Sequence, residues 1–343
     1  MIGPARSSFS SIRRRARLPW PSGDPFRILS IDGGGIKGIF PAAVLADLER
    51  RFLGGRSIAS YFDLITGTST GGILALGLAA GKTSRALLEI YQKDGRAIFP
   101  PGRLGKLWRW ARGWSLYQYD RTSLTDVLER TLGSRTLAES KSRLCIPAFE
   151  GHHGEVYIFK TPHHPDYRLD GKESMVTIGQ ATAAAPCYFK ALDSNGYRFV
   201  DGGVWANNPI MIGLVDALAC FELESTQIHI LSIGCGRDQV RVGWAKAVGG
   251  KFSWATAVFA AMELQSQNVL GQARLLAGPE QVVRIEPGIG KAIALDDWKR
   301  SSAELPTEAA KIMAELADDV GDTFLSNEAR PPRLFWPPMQ PPA

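Results

Sequence analysis

The sequence predicts an α/β fold in which helices cover both faces of a mostly parallel central sheet. Two observations carry that reading: short apolar runs alternate with helical-period segments through residues 26–240, and glycine clusters mark the strand-to-helix junctions. The longest apolar run, Ile73 to Ala80, falls far short of the roughly 20 residues a spanning helix needs. With 45% hydrophobic and 22% charged residues, the composition excludes disordered, collagen-like and disulfide-scaffold chains.

The first strand is Phe26 to Ile31, an apolar run that meets Gly33, Gly34 and Gly35. A helix follows from about Phe40, with Pro41 in its first turn, where a missing N–H is harmless. Val44, Leu45, Leu48 and Phe52 recur at helical spacing, and Gly54 and Gly55 close the helix. The pattern repeats as strand Phe62 to Thr66, turn Gly67 to Gly72, and helix Ile73 to Ala80. Further strands are predicted at Leu144 to Phe149, Val156 to Phe159, Tyr197 to Val200 and Ile228 to Ile233, with a helix opened by Pro209. Trp254 to Leu276 and Thr307 to Phe324 read as helices, and the proline-rich end from Pro331 as irregular. Three parts are expected: a flexible basic arm over 1–25, a core over 26–240, and a mostly helical extension over 241–343 packed on the core.

Lysine and arginine exceed aspartate and glutamate by 40 to 34, a charge of +6 that suits an anionic partner or serves solubility alone. Five arginines crowd the first 17 residues, but Pro19, Pro21, Ser22 and Asp24 stand where a secretory apolar region would begin. Four cysteines without paired spacing predict reduced thiols, a cytoplasmic location, and neither a disulfide framework nor a metal site.

Gly67-Thr68-Ser69-Thr70-Gly71 is a G-x-S-x-G word between a strand and a helix, the context in which a serine becomes an exposed nucleophile. Its usual base would be histidine, yet none of the five (His152, His153, His163, His164, His229) is placed for a triad. Asp201 is the better candidate. It follows the strand Tyr197 to Val200 and opens a turn with Gly202 and Gly203, and a carboxylate partly desolvated beside a hydroxyl gains proton affinity. In Asp32-Gly33-Gly34-Gly35-Ile36-Lys37-Gly38, consecutive glycines let backbone N–H groups converge on negative charge, either a phosphate or an acyl-transfer oxyanion. Gly33, Gly35 and Gly38 also satisfy G-x-G-x-x-G, but Asp63 lies near the start of the second strand instead of its end, which weakens a dinucleotide site.

Taken together, the words at Asp32 to Gly38, Gly67 to Gly71 and Asp201 to Gly203 resemble the patatin-like phospholipase family in order and spacing. Ala181-Thr182-Ala183-Ala184-Ala185-Pro186 resembles its small-residue helix, and Trp205-Ala206-Asn207-Asn208-Pro209 the stretch after its aspartate. The likeness covers about residues 26–240. It implies a three-layer α/β/α fold and a lipid acyl hydrolase: Ser69 attacks an ester carbonyl, Asp201 takes its proton, and the loop Gly33, Gly34, Gly35, Ile36, Lys37, Gly38 binds the oxyanion, with no metal or catalytic cofactor. Lys37 stands where family members carry a basic residue.

Overall likeness extends to bacterial patatin-like effectors of cyclic-oligonucleotide antiphage systems (CBASS). This implies a cyclic dinucleotide such as cGAMP as allosteric activator, a phospholipid membrane surface as substrate and recruitment to the inner membrane face; a homo-oligomer is left open, since the sequence does not state the oligomeric form. Residues 99–119 interleave Trp108, Trp110 and Trp114 with Arg109 and Arg112, which reads either as a membrane-contacting lid or as a packed aromatic segment. A nucleic-acid partner is not expected, since no binding fold accompanies these residues. An unregulated lipase, a non-catalytic nucleotide sensor and an NAD-binding oxidoreductase remain as alternatives.

Overall fold

A computed structural model describes residues 2–5, 15–100, 117–236, 257–288 and 293–337, with backbone alone for 257–260. Its sheet has eight strands: β1 (Phe26–Ile31), β2 (Leu64–Gly67), β3 (Arg143–Glu150), β4 (Glu155–Lys160), β5 (Leu192–Ser194), β6 (Tyr197–Asp201), β7 (Ile228–Ile233) and β8 (Val282–Ile285). The order is β5-β6-β3-β2-β1-β7-β8, with β4 on the other edge of β3. The pairs β1–β2, β1–β7, β2–β3 and β7–β8 are parallel, whereas β3–β4, β3–β6 and β5–β6 are antiparallel. The sheet is therefore mixed, and β6, which carries Asp201, runs against its neighbour.

Alternation along the strands divides the core between two faces. From β1, Leu29 and Ile31 point to one face and Phe26 and Ile28 to the other; from β7, Leu231 and Ile233 oppose Ile228 and Ile230. The first face is covered by α1 (Ile39–Phe52), α2 (Thr70–Ala79), α3 (Ser84–Ile98), α4 (Thr122–Leu132), α5 (Met175–Thr182) and, far along the chain, α9 (Trp298–Phe324). The second face takes α7 (Ile210–Cys220) and α8 (Ala257–Ala277). A four-residue helix, α6 (Gly203–Ala206), follows β6 directly.

Several expected boundaries shift for local reasons. β2 begins at Leu64, because a 3-10 turn occupies Ile58–Tyr61. α2 begins at Thr70, immediately after Ser69. The small-residue word is helical only as far as Thr182 and continues as loop. α9 starts at Trp298, well before Pro306, and Asp297 caps it by accepting the Arg300 N–H. Proline removes one helical hydrogen bond, but Leu305, Ala309, Met313, Ala317, Val320 and Phe324 form a continuous buried stripe that outweighs the loss.

The arm expected to be flexible over 1–25 is, where described, seated on the core. Leu18 bridges Phe221, Trp20 packs edge-on against Phe26 at 4.8 Å, and Arg15 donates to Tyr167 Oη at 2.9 Å. The extension expected from residue 241 supplies β8 to the central sheet as well as two helices. Trp108, Arg109, Trp110, Arg112 and Trp114 lie outside the described residues.

Candidate active site

Ser69 occupies the sharp bend between β2 and α2 with φ of 54°, a left-handed conformation that side chains adopt at a cost of about 1–3 kcal/mol. The flanking glycines make the bend passable. A Cβ on Gly67 would lie 2.2 Å from the Gly71 carbonyl oxygen, and one on Gly71 would lie 2.2 Å from that of Ile31. Three threonines brace the turn. Thr182 Oγ1 accepts the Ser69 N–H at 3.0 Å while donating to the Pro147 carbonyl at 2.7 Å. Thr68 Oγ1 donates to the Ala206 carbonyl at 2.6 Å, and Thr70 Oγ1 pairs with Tyr91 Oη at 2.5 Å.

Asp201 arrives from the opposite direction. β2 pairs with the start of β3 through Leu64–Thr66, and β6 pairs with its end through Phe199–Asp201, so β2 and β6 run toward one another along one edge of β3. Ser69 and Asp201 meet in the gap between the two strand ends. It is this head-to-head arrangement, and not a shared strand direction, that brings Asp201 to Ser69. Ser69 and the buried Asp201 line one cavity, and Asp201 Oδ1 accepts the Gly203 N–H at 2.7 Å. Burial pushes the Asp201 carboxyl up from 3.8 to about 6, although the Gly203 N–H and the neighbouring Ser69 hydroxyl favour the charged form. The Gly202 N–H is turned back toward the Thr182 carbonyl.

The glycine loop contributes selectively. Gly33 N–H donates to the Asn207 carbonyl, Lys37 N–H to that of Gly34 and Ile36 N–H to that of Leu295. Gly34 and Gly35 keep N–H groups without an acceptor among the described residues, and both line the same cavity as Ser69 and Asp201. Gly33, Lys37 and Gly38 do not line it; Lys37 is buried beside Cys235. The cavity, about 200 Å³, is walled chiefly by apolar side chains, among them Ile73, Ile90, Phe99, Leu128, Phe189 and Met262.

None of the five histidines lines the cavity. His163 is consumed by a separate buried network, with Nε2 at 2.7 Å from Asp216 Oδ2 and Nδ1 at 2.7 Å from Thr161 Oγ1. Cys145, His163 and Asp216 bring donor atoms within 4.8 Å of one another, but Lys160 Nζ and Tyr167 Oη already hold Asp216 at 2.7 and 2.6 Å, which leaves little room for a cation. Thr182, Tyr91, Asn207 and Leu295 escaped sequence reasoning as site residues. Thr182 and Asn207 lie within the two short words that accompanied the main motifs, whereas nothing local marks Tyr91 or Leu295.

This arrangement is that of an α/β protein in which a serine on a strand-to-helix elbow, a buried carboxylate and a glycine loop line one cavity. The family described as Patatin, patatin-like phospholipase, matches residues 29–214, more than half of the chain, and the chain belongs to that family. Among curated relatives, a protein of Vibrio cholerae serotype O1 named cGAMP-activated phospholipase is 38% identical over 61% of this chain and 63% of its own length. Proteins of the same name from Pseudomonas aeruginosa and Escherichia coli are 35% and 38% identical, over 72% and 61% of this chain and 75% and 61% of their own lengths.

Proposed function

We propose that this protein is a serine lipid acyl hydrolase of the phospholipase A type that works through a Ser69–Asp201 dyad. An elbow hydroxyl and a buried carboxylate lining one apolar cavity carry the reading. Asp201 takes the Ser69 proton as Oγ attacks the ester carbonyl carbon. The carbonyl oxygen becomes an oxyanion facing the Gly34 and Gly35 N–H groups, which need no reorganisation to receive it. Collapse breaks the ester bond, Asp201 returns the proton to the leaving alkoxide, and the acyl group stays on Ser69. Water, deprotonated by Asp201, then releases the fatty acid. No step uses a metal or a cofactor.

A cyclic dinucleotide of the cGAMP kind is the activator in this reading, supported by three relatives that carry that activity in their names. The substrate is then phospholipid at the cytoplasmic face of the membrane, reached by peripheral recruitment, in an antiphage response; among the described residues no helix is long and apolar enough to cross a membrane. A ligand can switch such an enzyme on only by binding the active state more tightly than the resting one. Release of fatty acid from phosphatidylglycerol and phosphatidylethanolamine vesicles, with and without cGAMP, tests both parts. Hydrolysis by wild type that Ser69→Ala abolishes supports the dyad, and its dependence on cGAMP supports the switch. Equal hydrolysis with and without nucleotide removes the regulatory part, and hydrolysis by Ser69→Ala removes the whole.

A further inference from the structure

Asp32 heads the glycine loop at the point where β1 ends, and its side chain is buried. Its partner comes from the far end of the chain. Arg284 on β8 directs Nη1 to Asp32 Oδ1 at 2.9 Å and Nη2 to Oδ2 at 2.5 Å, a bidentate fork between side chains exposed by only 6% and 5%. The guanidinium is itself fixed, with Ser232 Oγ 2.6 Å from Nη1 and Glu286 Oε1 3.0 Å from Nε. Burial pushes the Asp32 carboxyl up to about 6, and the charge of Arg284 is the main force pulling it back. Lysine in this place would keep the charge and lose the fork.

The loop is therefore pinned on both sides by residues beyond 280. Arg284 grips the residue before the glycines, and the Leu295 carbonyl accepts the Ile36 N–H after them at 2.9 Å. Gly34 and Gly35, between the two pins, are the glycines that line the cavity. Arg284 lies outside the cavity lining and grips the glycine loop through Asp32.

We infer that Arg284 is a positioning residue for the proposed reaction, holding the Gly34 and Gly35 N–H groups where charge develops on the ester oxygen. The inference rests on the acyl-hydrolase reading and adds a contribution from the C-terminal strand. Loss of one oxyanion donor lowers kcat by about 10²–10³, and a displaced loop forfeits part of that.

The test measures kcat and KM on a soluble p-nitrophenyl acyl ester with cGAMP present, normalised to active sites titrated to completion with a fluorophosphonate. Arg284→Met is expected to lower kcat per titrated site by about tenfold or more, with KM within about twofold, the pattern of an interaction made only in the transition state. Arg284→Lys is expected to recover part of the loss. Because Arg284→Met strands the buried Asp32 carboxylate, the double variant Asp32→Asn, Arg284→Met is made beside it; it removes that stranded charge and is expected to show the same deficit. Wild-type kcat per titrated site in Arg284→Met, or in the double variant where the single one does not fold, overturns the inference. So does a deficit confined to thermal midpoint or to the number of titratable sites, which marks a purely structural role. Ser69→Ala separates the two claims: turnover by that variant, or none by wild type, overturns the acyl-hydrolase reading and the inference with it. An inactive Ser69→Ala beside fully active Arg284 variants overturns the inference alone.

Discussion

Asp201→Asn separates what the buried carboxylate gives to activity from what it takes from stability. Its pKa is raised from 3.8 to about 6, with burial as the largest cause. The folded protein thus binds this proton more tightly than the unfolded chain, and stability falls as pH rises through that interval. At about 1.36 kcal/mol for each tenfold change in proton affinity, the full penalty is about 3 kcal/mol, reached above pH 7, and only about 1 kcal/mol of it is present at pH 4.5. Asparagine has no charge to bury, and its Oδ1 can still accept the Gly203 N–H. The variant is expected to gain about 3 kcal/mol at pH 8 and about 1 kcal/mol at pH 4.5 while losing hydrolysis. Urea unfolding of both proteins at the two pH values measures the difference. In wild type, kcat/KM is expected to fall about tenfold per pH unit below about 6, because only the ionised carboxylate accepts the serine proton. A stability change equal at both pH values, or a rate flat down to pH 5, refutes the reasoning.

Three further substitutions probe the scaffold. Thr182→Val leaves the Ser69 N–H without its acceptor; a loss of about 1–3 kcal/mol in chemical denaturation is expected, together with a lower kcat. Gly71→Ala sets a methyl 2.2 Å from the Ile31 carbonyl oxygen, so circular dichroism is expected to show no stably folded protein, and a wild-type melting curve contradicts the elbow geometry. Met313→Ala opens a cavity in the fully buried face of α9 and is expected to cost about 2–5 kcal/mol in urea unfolding, with kcat per titrated site unchanged.

The elbow was legible in the sequence because its constraint is local. A serine in a left-handed bend with helix and strand in contact on either side requires glycine at 67 and 71, and those glycines are visible in the chain. The alternating apolar strands Phe26–Ile31 and Ile228–Ile233 were legible for the same reason. Strand direction was not: nothing in Tyr197 to Asp201 records that β6 runs against β3, and Asp201 reaches Ser69 through that reversal. The start of α9 was hidden by Pro306, whose local preference is overruled by packing on α1. The seating of Arg15 and Trp20 depends on Tyr167, Phe26 and Phe221, and the Asp32–Arg284 pair joins residues 252 positions apart. Long-range partners leave no periodicity in sequence, which is why the extension read as covering helices and not as part of the sheet.

Peptide mapping by mass spectrometry after reaction with a fluorophosphonate tests most directly whether the Asp201 carboxylate activates the elbow hydroxyl. A single adduct on Ser69 is expected in wild type, formed far more slowly in folded Asp201→Asn. Equal labelling rates in the two proteins, or an adduct on another residue, would contradict it.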